Sequence, residues 1–99
     1  MILDTKQKQP VEVKDYPIDY SEWLGTVNDT IVSVDAQVVC LSNPDDAALV
    51  VRDVYNSTTA VVVWLSGGTD REKYKVSITV TTAGGRVDQS EFIVKVKDH

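Results

Sequence analysis

The sequence predicts an all-β protein, an antiparallel β-sandwich of about six to seven strands with one short helical turn. Three observations carry this. Val- and Thr-rich segments alternate apolar and polar residues with a period of two, the mark of half-buried strands. Turn-forming clusters separate them at short intervals. Between residues 59 and 97, Asp70-Arg71-Glu72-Lys73-Tyr74-Lys75-Val76 has the spacing of a tyrosine corner, in which a buried Tyr hydroxyl ties the start of a strand to main chain a few residues upstream. The corner makes the sandwich immunoglobulin-like.

Ninety-nine residues, 42% hydrophobic and 25% charged, suffice for one domain and one core. Residues 1–10 are mostly polar and read as an arm that orders on a neighbour; residues 11–97 read as the sandwich. Val11, Val13 and Ile18 mark a first strand, broken at Pro17, whose missing N–H implies a sheet edge or a crossover. Ser21-Glu22-Trp23-Leu24-Gly25 reads as one helical turn, with Ser21 as cap and Gly25 as a left-handed stop. Trp23 and Leu24 then plug one end of the sandwich.

Thr30 to Cys40 predicts a long strand with Val32, Val34, Ala36, Val38 and Cys40 on its core face. Cys40 is the only cysteine, so no intrachain disulfide can form. Val76 stands where the second cysteine of an antibody-type bridge would lie, and apolar packing must do that bridge's work. Ser42-Asn43-Pro44-Asp45-Asp46 is a turn with Pro44 at its first central position. Leu49–Tyr55 and Thr59–Ser66 are the next strands.

Tyr74, Val76, Ile78 and Val80 form one face of the strand after the corner. Phe92, Val94 and Val96 form one face of the last strand. These core residues are all even-numbered, and opposed residues in an antiparallel pair have a constant index sum. Even facing even requires an odd loop. The hairpin therefore turns through three residues, Ala83-Gly84-Gly85, with Gly85 left-handed, and not through a two-residue Gly-Gly turn.

Chemistry is hard to place on this chain. The one histidine is His99, at the C-terminal end, which removes Ser-His-Asp and Cys-His catalysis. No glycine-rich loop opens a helix to cradle phosphate. The acidic residues lack the spacing of a calcium loop. The expectation is no catalytic residue, no cofactor, no metal and no small-molecule ligand. Net charge is −5, and it is uneven: residues 1–58 carry 4 basic and 10 acidic side chains, residues 59–99 carry 6 and 5. An acidic balance argues against nucleic-acid binding. No segment approaches the ~20 apolar residues of a membrane span, and the first residues lack the layout of a signal peptide.

One feature points to partners. Leu49-Val50-Val51 and Val61-Val62-Val63-Trp64-Leu65 are apolar on consecutive residues, whose side chains point to opposite faces. In a single sandwich one of those faces should be wet. These eight residues are the candidate interface, while Tyr74, Asp70, Gly85 and Trp23 are the structural positions.

Val63-Trp64-Leu65-Ser66-Gly67-Gly68-Thr69, Tyr74-Lys75-Val76, Thr81-Thr82-Ala83-Gly84-Gly85-Arg86 and Phe92-Ile93-Val94-Lys95-Val96 together resemble a family of tailed-phage and prophage Ig-like virion proteins, the fibre–tail adaptors. So does the upstream Asp19-Tyr20-Ser21-Glu22-Trp23-Leu24 followed by Asp29-Thr30-Ile31. The resemblance implies a non-enzymatic structural adaptor in the virion, made in the host cytoplasm. It would bridge tail or neck to fibre, touch other virion proteins and stand in several copies in a symmetric assembly. The alternative is a free-standing Ig-like binding module, carbohydrate-binding or adhesin-like, which would need exposed aromatics; Tyr16, Tyr20 and Trp23 are the candidates.

Overall fold

The computed structural model describes residues 2–25 and 29–98. Seven strands and one helix follow in chain order: β1 (Ile2–Lys8), β2 (Val13–Asp19), α1 (Ser21–Gly25), β3 (Ile31–Cys40), β4 (Leu49–Asn56), β5 (Ala60–Gly67), β6 (Lys73–Thr82) and β7 (Val87–Val96). They form two sheets, β1-β7-β6-β3 and β2-β5-β4. The order is the immunoglobulin arrangement, with β7-β6-β3 facing β2-β5-β4 and an N-terminal strand added beside the last one. That addition is parallel, whereas every other pairing is antiparallel.

The core forms where the inward residues of the two sheets meet. Val61, Val63 and Leu65 of β5 and Tyr74, Val76, Ile78 and Val80 of β6 are fully enclosed. Phe92, Val94 and Val96 of β7 and Tyr16 and Ile18 of β2 complete it. Tyr16 and Phe92 lie 5.5 Å apart between ring centres, a tilted contact bridging the sheets. Each fully buried aliphatic side chain contributes about 1.5–3 kcal/mol. The alternation of the central strands is thus both the fold's signal and its main source of stability.

The last hairpin follows the parity of its core residues. Val76 faces Phe92 and Thr81 faces Val87. Thr82 N–H donates to Arg86 O, and Gly85 N–H to Thr82 O. The loop is Ala83-Gly84-Gly85, and Gly85 has φ 87°. Arg71 is the other telling residue, a non-glycine at φ 70° in the turn that Glu72 N–H closes onto Thr69 O. A positive φ at the third turn position belongs to glycine.

Five details depart from the sequence reading. Residues 2–8 are a strand, not an arm: β1 pairs with β7, and its polar residues 4–8 carry no apolar period to reveal it. Lys8 at its end is buried, with Nζ donating to Gly67 O at 2.6 Å and Gln9 O at 2.8 Å. β2 is not broken at Pro17 but runs through it, because β2 is an edge and the missing donor is not needed there. The β3 core face also changes: the register shifts between Ile31 and Ser33, so Ile31 points inward and Val32 is 58% exposed. A one-residue slip flips the face.

The helix start differs as well. Tyr20 O accepts the Leu24 N–H, so Tyr20 holds the cap position, and the Asp19 carboxylate, not Ser21, accepts the Ser21 N–H at 2.8 Å. Gly25 is not left-handed; the residues after it lie outside those described.

Arg71→Gly should leave stability unchanged or raise it by up to ~1 kcal/mol, because glycine meets positive φ without strain. Gly85→Val should lower it by more than ~1 kcal/mol for the converse reason. Urea unfolding of both variants measures this; a stabilised Gly85→Val would contradict the turn geometry.

Candidate functional site

The consecutive apolar residues divide cleanly between two sides of one sheet. Leu49, Val51, Val61, Val63 and Leu65 point into the core, where Val61, Val63 and Leu65 are fully buried. Those five are packing residues and drop out of the candidate interface. Val50, Val62 and Trp64 point outward. The difference is set by the alternation of β5, which buries every odd residue from 61 to 65.

β5 is the central strand of the three-stranded sheet, so its outward residues sit at the middle of that sheet's open face. The registers give the rows. Asp15, Trp64 and Asp53 form one row across β2, β5 and β4; Pro17, Val62 and Tyr55 form the next; Val13, Ser66 and Val50 lie on the other side of the first. A register shift between Val51 and Asp53 lets Asp53 and Tyr55 share this face with Val50. Val13, Val50 and Tyr55 are about half exposed. Val13, Arg52, Asp53, Tyr55 and Trp64 line an open groove of about 460 Å³. The Tyr55 hydroxyl donates to Asp53 at 2.5 Å, and this carboxylate holds the Tyr55 hydroxyl's pKa above its ordinary value. Sequence reasoning missed Val13, Asp15, Asp53 and Tyr55, because only the pairing of β2 and β4 against β5 brings them beside Trp64.

The structural positions are elsewhere. Tyr74 is fully buried; its hydroxyl accepts the Thr69 N–H at 2.8 Å and donates to the Asp46 carboxylate at 2.9 Å. Burial is the main cause of its raised pKa. Asp70 takes no part in that bond. Its carboxylate accepts the Asp98 N–H at 2.9 Å and ties down the chain beyond β7.

Trp23 is neither a free anchor nor a simple plug. The Arg86 guanidinium lies 4.3 Å over its ring, and Tyr20 meets it edge-on at 6.1 Å. Asp29 completes the clamp: it accepts the Gly84 N–H at 3.0 Å, the Thr30 N–H at 2.9 Å and Arg86 Nε at 3.1 Å. The Asp29 pKa falls from 3.8 to about 2, with a hydrogen bond from Thr82 the largest cause and the Gly84, Thr30 and Arg86 donors adding to it. Nothing in the spacing of Trp23, Asp29 and Arg86 announces that they meet. Tyr16 and Tyr20 are buried. Trp23, the third aromatic named for a carbohydrate-binding module, is partly buried beneath Arg86.

Among the described residues, no three His, Cys, Asp or Glu side chains gather as metal ligands, and no helix is long and apolar enough to cross a membrane. Cys40 is buried, with Sγ 3.4 Å from a Glu72 carboxylate oxygen that also takes the Ser42 hydroxyl. The class so defined is a small immunoglobulin-type sandwich whose distinctive surface is an apolar sheet face around one tryptophan. The chain belongs to the family described as Podophage GP4 fiber-tail adaptor protein gp77, whose family model matches residues 8–95. No curated protein matches the chain.

Tyr74→Phe should cost about 1–2 kcal/mol or more, because both hydrogen bonds of the hydroxyl are lost and the Thr69 N–H is left without an acceptor. A wild-type urea midpoint would refute that role. Asp29 gives a pH signature. Its folded pKa is depressed, so its contribution is full above about 4 and is lost as pH falls toward 2. Melting temperatures of wild type and Asp29→Asn should differ most above pH 4 and converge toward pH 2.

Proposed function

We propose that the chain is a non-enzymatic structural adaptor of a bacteriophage virion, linking tail or neck to fibre by docking other virion proteins on the outer face of its three-stranded sheet. The observation that carries the docking reading is the apolar surface around Trp64. The core is already complete without it, yet Val62, Trp64, Val50, Tyr55 and Val13 stand on the outer side of the sheet. Contiguous exposed apolar surface on a small domain marks a partner site. Trp64 is partly buried and Tyr55 about half exposed; Trp and Tyr in a patch are the residue types that dominate binding energy. Family membership supplies the setting: a particle in which a fibre is attached to a tail and the attaching protein acts by contact. Attachment needs no catalysis. Partners are other virion proteins, met in several copies because tails are symmetric, and the place of action is the virion.

The test uses two neighbouring valines. Val62→Asp puts a charge on the outer face and should keep the fold while abolishing co-purification with the tail and fibre proteins of the same phage. Val63→Asp puts the charge in the core and should unfold the domain. Retention of both partners by a folded Val62→Asp protein would remove this face from the docking surface.

A further inference from the structure

The chain concentrates its positive charge at one corner. Lys73 of β6 is paired directly with Lys95 of β7. Just before β6, Arg71 N–H donates to Val96 O and Val96 N–H to Glu72 O, so residues 71 and 72 both stand against Val96. Arg71 and Lys97 line one groove with the Lys73–Lys95 pair. Like charges directly opposed across strands destabilise a sheet, and here two further cations stand beside the opposed pair. With Lys75 one pleat further, this corner holds five of the ten basic residues in a chain of net charge −5. Arg71, Lys73, Lys95 and Lys97 are exposed. Among the described residues, none of these four side chains has a hydrogen-bond or ion-pair partner, whereas Lys75 meets Glu91 at 3.9 Å. With Glu72 and Val96 the four cations line a groove of about 340 Å³. Two of the nearby acids are engaged elsewhere, Glu72 with Ser42 and Cys40, and Asp70 with the Asp98 N–H, while the exposed Asp98 follows Lys97 in the chain.

The opposite side of the sandwich carries the complement. In the row Asp15–Trp64–Asp53, two exposed carboxylates flank the indole on the outer face of the three-stranded sheet. Asp19 lies on the same face of β2. Among the described residues, Arg52 is the one cation lining the groove. An aromatic face between two carboxylates suits a Lys or Arg side chain, through cation–π attraction and charge-assisted bonds together.

We propose that the partner at the Trp64 face includes a second copy of this chain, whose Arg71–Lys73–Lys95–Lys97 corner supplies the cations that the Asp15–Trp64–Asp53 row receives. This rests on the docking reading above and names one occupant of that face. Both halves of the contact are present on one chain, so no other gene product is needed to complete it. The two halves lie on different sheets, on opposite sides of the sandwich. A two-fold dimer would set like against like, so the contact is head-to-tail, and each docked copy leaves one face of each kind free for the next. Three strands at ~4.8 Å spacing and seven residues at ~3.3 Å rise give a face of roughly 14 by 23 Å. That is below the ~800 Å² per partner of a standard stable interface. A single contact is therefore weak, electrostatic and salt-sensitive.

The experiment is sedimentation velocity of the purified chain over a concentration series, at low and at high salt. Expected are concentration-dependent oligomers larger than a dimer at low salt, dissociating as salt rises. Lys73→Glu with Lys95→Glu, or Asp15→Lys with Asp53→Lys, should each weaken association at least about tenfold, the effect of setting like charges against each other. The chain carrying all four substitutions should associate again, and circular dichroism confirms that each variant is folded. A monomer at every concentration, a dimer indifferent to either reversal, or no recovery in the fourfold variant would overturn the self-contact. If a monomeric wild type loses the tail or fibre protein on Lys73→Glu with Lys95→Glu, the corner serves another protein and the self-contact fails while the adaptor reading stands. Capture of DNA by the corner would equally overturn it.

Discussion

The Tyr74 hydroxyl is the joint on which one end of the sandwich is built. It stands at the start of β6 with no exposure, accepts an N–H from the β5–β6 connection and donates to a carboxylate in the β3–β4 connection. One oxygen thereby holds two loops that cross between the sheets. Asp46 is held in turn by the Ala48 N–H, and Gly68 N–H bonds Ala48 O. Gly67, at φ 77°, lies so close to the Ala48 carbonyl oxygen that no Cβ could stand there. With no disulfide between the sheets, this network and the Tyr16–Phe92 contact keep them in register. Their positions determine which side of β5 faces inward, and hence that Trp64 faces out.

The opposite end is held by charge. Asp29, Arg86 and Trp23 clamp the β6–β7 loop to the segment after α1, with Gly84 and Thr30 amides completing the carboxylate's bonds. The two ends differ in pH sensitivity. Tyr74 keeps its proton throughout the working range, since its pKa is raised from 10. The Asp29 clamp depends on an ionised carboxylate and fails first in acid.

What could be read from the sequence was what repeats with a period of two. Even-numbered core residues on β6 and β7 fix the three-residue loop and its left-handed glycine by parity alone, and Tyr74 is legible because its corner is local in sequence. The β1 strand was not legible, because residues 4–8 have no apolar period and its parallel pairing with β7 is a main-chain contact. Val32 misled because one extra residue in β3 turns Ile31 inward. The two apolar runs, 49–51 and 61–65, showed that two faces were in use but not which was which; only pairing on either side of β5 separates Val62 and Trp64 from Val61, Val63 and Leu65. Asp15 and Asp53 sit 38 residues apart and meet across Trp64 solely through the sheet.

The four outer strands of the two sheets each carry something that obstructs a new strand. β2 has Pro17, which offers no N–H. β3 and β4 each have a register shift, at Val32 and at Arg52, that interrupts the row of free main-chain groups. β1 presents Lys6 and a shift between Ile2 and Thr5. Open edges are templates for unlimited zippering between molecules. Where many copies of a small β domain are made and crowded together, that route leads to precipitate. With every edge obstructed, backbone-mediated fusion is suppressed, and contacts are left to side chains on the broad faces, where geometry and charge can choose the neighbour.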